Sequence, residues 1–238
     1  MGHIFDGLFG RFFRVLFVLD LLLIIDFLFL RGLVFAGVLD AVPLVLRLEY
    51  VFGLPSFFGY AKLMASIVFL MVAWRYCGQQ GYLLLSALLT LVLVDDVFEI
   101  HEYIGVLFAS DTPPDALSGQ FGLRQRDFGE LIAFAVMGCI GIAIMVWAVI
   151  KADTTARGEA LGFTVLICVL GTFAVGVDMI QIGVKAGLEG SVKNVVHLIS
   201  QVFEEGGEMI SLSLICAYSH LVLQRRKNRN QPMTARQA

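Results

Sequence analysis

The sequence predicts an all-α fold, a polytopic transmembrane bundle of about six spanning helices plus an interfacial or re-entrant segment at 31–58. Three observations carry this. Hydrophobic residues make up 58% of the 238-residue chain, and mean hydropathy is +0.85. Charged residues are 16%, against roughly 25% in an average soluble domain. The apolar residues also fall in runs close to the roughly 20 that a spanning helix needs. A soluble fold of this length has too little interior to hide so much apolar surface, whereas a bilayer solvates the outer face of a bundle.

The expected spans are 12–30, 59–76, 81–105, 128–150, 159–184 and 194–223. No small-residue cleavage site follows the first run, so it reads as a membrane helix and not a secretory signal. Segment 31–58 mixes Pro43, Pro55, Arg47 and Glu49 with aromatic and aliphatic residues, a composition suited to the headgroup region. Pro113-Pro114 and the stretch 151–158 mark connections. Residues 1–224 form one bundle domain, and 225–238 a polar cytoplasmic tail, frayed from Arg225 onward.

Net charge is −3 with no basic stripe, which excludes a nucleic-acid partner. Cys77, Cys139, Cys168 and Cys216 are widely spaced, so they read as small apolar residues and not as disulfides or a zinc site. The expected partner is membrane lipid, with a homo-oligomer or a larger membrane complex left open. The expected location is the bacterial inner (plasma) membrane. With six spans, Arg11, Arg14, Arg75, Lys151, Arg157, Arg225, Arg226, Lys227, Arg229 and Arg236 share a side with the termini. Arg31, Arg47, Lys62, Arg124, Arg126, Lys185 and Lys193 fall on the other. The positive-inside bias therefore puts both termini in the cytoplasm.

Acids concentrate in the outer half of four spans: Asp95, Asp96, Glu99, Glu102, Glu130, Asp178, Glu204, Glu205 and Glu208. At about 100° per residue, Asp95, Glu99 and Glu102 lie within roughly 60° of one another, and His101 points away if the helix stays regular. His197, Gln201, Glu204 and Glu208 form a second stripe, about 16 Å long at 1.5 Å per residue, with Glu205 at its border. One acid at the bilayer centre costs about 2.5–3.5 kcal/mol on insertion scales, so the excess needs metal ions, protons or a water-filled cavity.

Carboxylates with imidazole suit a divalent ion such as zinc, manganese or iron. The expected metal ligands are Asp95, Glu99, Asp178, His197, Glu204 and Glu208, leaving Glu205 and Asp96 as catalytic carboxylates. There is no Glu-x-x-His pair of the kind used by two-metal helical bundles. Gly206-Gly207 beside the acids permits either a kink or close helix packing. Glu102, Asp127 and Glu130 fit the headgroup level, Asp20 fits a packing or pairing role, and Asp26 fits the edge of the cluster.

Three functions compete. The first is a metal-dependent hydrolase acting on a lipid or lipid-like substrate, with a metal-bound water as nucleophile and a spare glutamate as general base. The second is a cation- or proton-coupled transporter, and the third a non-catalytic subunit of a membrane complex. Leu131–Ile150 and Ala160–Val177 carry no charge, which counts against a path through the inner half. The plain structural alternative for the acids is an ion-pair network with solvated helix ends.

The orientation has a direct test in intact cells. In a background without native cysteines, Ser118→Cys should react with an impermeant maleimide and Thr155→Cys should not. The reverse pattern overturns the cytoplasmic placement of the termini.

Overall fold

The computed structural model describes residues 10–111, 125–185 and 190–229. These are helical throughout apart from short connections. The helices are α1 (Arg11–Phe35), α2 (Leu54–Cys77), α3 (Gln80–Phe98), α4 (Ile100–Asp111), α5 (Gln125–Lys151), α6 (Thr154–Gly171), α7 (Asp178–Lys185) and α8 (Gly190–Arg229). A 3₁₀ turn at Leu44–Leu46 precedes α2, and a π-helical stretch at Thr172–Val177 joins α6 to α7. Ser118, the outer labelling position above, lies outside the described residues.

Five stretches are long and apolar enough to cross a membrane: Leu54–Cys77, Gln80–Phe98, Gln125–Lys151, Thr154–Gln181 and Val192–Arg229. The first helix is not among them, because Arg14, Asp20, Asp26 and Arg31 crowd its apolar run. Its 25 residues still reach about 37 Å, more than the hydrocarbon thickness of roughly 30 Å. Val15, Val18, Leu22, Ile25 and Phe29 are exposed along it, an apolar surface that suits lipid.

The element ends follow local chemistry. Helix α2 has Pro55 in its first turn and stops at Gly78, whose φ of 67° needs the freedom of glycine. Between α5 and α6 the chain turns at Ala152-Asp153, where the Asp153 carboxylate accepts from the Ala156 N–H at 2.7 Å and caps α6. Segment 31–58 is divided: α1 runs on to Phe35, and Val42 and Leu48 are buried against Phe27 and Met209.

Helix α8 is the spine. It packs on α1, α2, α6 and the π-helical stretch, and supplies Leu212, Ile215, Ala217, Tyr218 and Val222 to the main core. It is continuous through Gly206-Gly207, so these glycines act by close packing and not by a kink. Ile24 of α1 sits against Gly206, and the Phe173 ring lies against Gly207. The helix also continues through the basic cluster to Arg229, so the tail does not fray from Arg225.

Apart from the acid cluster, the bundle interior holds two charged pairs among the described residues. Lys62, counted with the outer-side charges near the start of the expected span 59–76, is buried between α1, α2 and α8. Its Nζ donates to Asp20 Oδ1 at 2.8 Å, the Met209 carbonyl at 2.8 Å and Ser213 Oγ at 3.3 Å. The Ser213 hydroxyl donates to Asp20 Oδ2 at 2.5 Å. At the opposite end from the acid cluster, Glu159 is buried, accepting from Tyr82 and from Arg226 Nη2 at 2.8 Å. The stretches Leu131–Ile150 and Ala160–Val177 carry no charge; Glu159 just precedes the second, and Asp20 and Lys62 lie on other helices.

Removing one member of a buried pair strands the other. Lys62→Met should therefore cost about 3–5 kcal/mol in unfolding from detergent, and Asp20→Asn/Lys62→Met together should recover part of that loss. Additive single-variant effects would mean that the two residues do not act as a pair.

Candidate functional site

The acid cluster begins with a helix break. Helix α3 stops at Phe98, and Glu99 has a φ of 48°, the left-handed region that costs a non-glycine residue about 1–2 kcal/mol. Asp95 compensates for the break. Its backbone carbonyl accepts the Glu99 N–H, and its Oδ1 accepts the His101 N–H at 3.1 Å, satisfying a donor at the start of α4. Oδ2 holds His101 Nδ1 at 2.9 Å, and the imidazole stacks on Phe134 of α5. The expected continuous helix over 81–105 is thus two helices, and His101 turns toward the acids instead of away.

The second pair of helices is held by close packing. A side chain at Gly129 of α5 would meet Gly105 Cα at 2.8 Å and Phe108 Cβ at 2.6 Å. This approach lets Arg126 donate to Glu102 across the pair, while its Nε donates to Glu130 Oε1 at 2.6 Å within α5. Glu102 and Glu130 are therefore partnered by protein, not by headgroups alone.

These groups open into one cavity of about 970 Å³, near the upper end of the usual size for a ligand pocket. Its carboxylates are Glu49, Asp95, Asp96, Glu99, Glu102, Asp127, Glu130, Glu204, Glu205 and Glu208. Among the described residues, the basic groups in the wall are Arg126, Lys193 and His101, and the polar ones include Tyr60 and Gln181. Tyr60 donates to the Val51 carbonyl at 3.1 Å and reaches the Asp96 carbonyl at 3.4 Å, tying α2 to the end of α3. The rest of the wall is apolar, with Leu63, Leu88, Met145, Ile167, Leu170 and Leu212. Along α5 the lining runs from Arg126 to Met145, about 28 Å at 1.5 Å per residue. The carboxylates gather at one end of it.

Of the expected site residues, Asp95, Asp96, Glu99, Glu204, Glu205 and Glu208 all line this cavity. His197 does not: it is exposed, more than a helical turn before Glu204. Asp178 begins α7, and its side chain lies outside the described residues. Sequence reasoning missed Glu49, in a segment read as interfacial, and Lys193. It set His101 aside because the break at Glu99 leaves no periodic trace.

The expected divalent-ion centre finds no ligand set here. Among the described residues, no group of three or more His, Cys, Asp or Glu side chains is arranged to hold a metal ion. Asp95 is engaged by His101, and Glu102 and Glu130 by Arg126. The acids are spread along four helices instead of converging on a point.

Residues 15–222 match the family model described as Domain of unknown function (DUF8692), and the chain belongs to that family. No curated protein and no solved structure matches it.

Asp95 has a role that its neighbour lacks. Asp95→Ala should lower stability by about 0.5–2 kcal/mol, the usual range for a lost helix cap, read as a fall in thermal midpoint in detergent. Asp96→Ala, whose carboxylate makes neither bond to His101, should change it less. Equal effects would contradict the capping role.

Proposed function

We propose that this member of the DUF8692 family is an intramembrane cation-binding protein whose site is the carboxylate-lined cavity. One observation carries the reading: ten carboxylates share a space of about 970 Å³, and the basic side chains that line it among the described residues are Arg126, Lys193 and His101. Negative charge in a low-dielectric setting is relieved by protons, by water or by mobile cations. A cavity of this size admits the last two together. The distributed acids suit a hydrated or organic cation, which needs several weak contacts instead of three converging donors. With both termini cytoplasmic, the acid end opens on the outer face.

Divalent-metal hydrolysis at Glu205 and Asp96 has less support, because the donors that would hold the metal do not converge among the described residues. Cation- or proton-coupled transport is the second reading. It draws support from Asp20–Lys62 and Glu159–Arg226, which extend ionisable groups beyond the cavity toward the other end of the bundle. On this reading Lys62 lies just past the cavity lining, since the Met209 carbonyl that it bonds belongs to a lining residue.

A ligand that binds only the folded state stabilises it by mass action, by about 2.7 kcal/mol at one hundred times its dissociation constant. Methylammonium chloride should therefore raise the thermal midpoint in detergent in a saturable, concentration-dependent way. Glu204→Gln/Glu208→Gln should weaken the response. No methylammonium effect, together with destabilisation by a chelator and rescue by Zn²⁺ or Mn²⁺, would replace this reading with the metal one.

A further inference from the structure

The end of the bundle away from the acids carries a second pocket, of about 720 Å³. Its wall holds Trp74 and Arg75 from the end of α2, Gln80, Leu83 and Leu84 from the start of α3, and Trp147 of α5. The two-residue turn Gly78-Gln79 joins α2 to α3 and sets their ends side by side. A side chain at Gly81 would meet the Ala148 carbonyl at 3.2 Å, so the start of α3 also lies close on α5. Three helix ends thus enclose the space. The chain has 2 tryptophans, Trp74 and Trp147, and both stand in this wall.

Charge and level together name the occupant. Among the described residues, the charged residue in the wall is Arg75. Lys151, one turn beyond Trp147 on α5, holds its Nζ 6.0 Å from the centroid of that indole. Both cations are exposed, and among the described residues neither has a carboxylate partner. Asp153, in the turn after α5, uses its carboxylate to cap α6. All three helices are long and apolar enough to span, so their ends fall at the headgroup level. Indole rings favour that level, with an apolar body and a polar N–H. Arginine there meets phosphate as a bidentate donor, and lysine meets it as a point charge. Leu83 and Leu84, further along α3 than Gln80, face the same space from the hydrocarbon side.

We infer that this pocket binds an anionic phospholipid, its phosphate held by Arg75 and Lys151 and its upper acyl chain laid against Trp74, Trp147, Leu83 and Leu84. The inference is independent of the cation-binding cavity at the other end. A zwitterionic lipid brings its own ammonium toward the same two cations, so the net anionic lipid is selected. Basic groups at a bilayer surface each favour anionic lipid roughly fivefold, so two of them give a selectivity of several-fold or more. The acyl chain exchanges bilayer contacts for protein contacts, so the discrimination lies in the headgroup.

The two tryptophans make the pocket its own probe. The full-length protein is placed in phosphatidylcholine vesicles containing either dibrominated phosphatidylglycerol or the same fraction of dibrominated phosphatidylcholine, and tryptophan quenching is compared. The expected result is a relative binding constant several-fold in favour of the glycerol lipid. Arg75→Gln/Lys151→Gln should bring it close to one, while Arg75→Lys should retain most of it. Arg157→Gln/Lys227→Gln removes the same charge from exposed positions at the same end but outside the wall, and should leave the selectivity unchanged. Circular dichroism of each variant checks that the helices are kept. Equal quenching by the two lipids in the unaltered protein overturns the inference, as does an equal loss in both double variants, which would mean a diffuse surface charge and no site. Relief of quenching by inorganic phosphate, but not by sodium chloride of equal ionic strength, would give the pocket to a soluble phosphate and overturn the lipid.

Discussion

The cost of placing charge inside a membrane governs this molecule. An ionisable group in the hydrocarbon region must be paired, hydrated or functional. The chain meets that requirement in three different ways along one bundle. At one end, Glu159 is enclosed by Tyr82 and Arg226. In the interior, Asp20 and Lys62 satisfy each other with help from Ser213 and the Met209 carbonyl. At the other end, ten carboxylates line a cavity. The first two sites join helices and leave no space. The third leaves space, and that difference separates structure from candidate function.

The spine helix connects all three. Counting along α8, Glu204, Glu205 and Glu208 face the cavity, Met209 and Ser213 hold Lys62, and Arg226 holds Glu159. A helix of 40 residues carries each level of polar chemistry without interruption. Its glycines serve this by admitting Ile24 and Phe173 close to the backbone at the level of the acids. The opposite wall depends on a break instead. Glu99 turns the chain so that α4 can lie along α5, where Gly105 and Gly129 bring the two helices together.

Where chemistry was regular along one element, it was legible in the sequence. The helical class followed from apolar runs, and the stripe of Glu204 and Glu208 followed from helical periodicity along α8. The end of α3 was not legible, since it depends on one glutamate entering the left-handed region with Asp95 capping the next helix. Nor was the Asp20–Lys62 pair, whose members are 42 positions apart and whose meeting depends on helix packing. Lys62, inside the expected span 59–76, was counted with the outer-side charges because charge counting assumes that lysines sit in water. The metal expectation extrapolated from acid count to acid convergence. Four helices brought the acids to one cavity but not to one point, and His197 stayed outside it.

The central claim is that the carboxylate-lined cavity holds a cation, and the carboxylates can report on this themselves. The measurement is the infrared difference spectrum of the protein in nanodiscs on adding methylammonium, compared with neutral methanol. The account predicts a change in the carboxylate stretching bands with methylammonium alone, largely abolished in Glu204→Gln/Glu208→Gln. A silent spectrum with methylammonium, alongside a clear carboxylate change with Zn²⁺ or Mn²⁺, would contradict it.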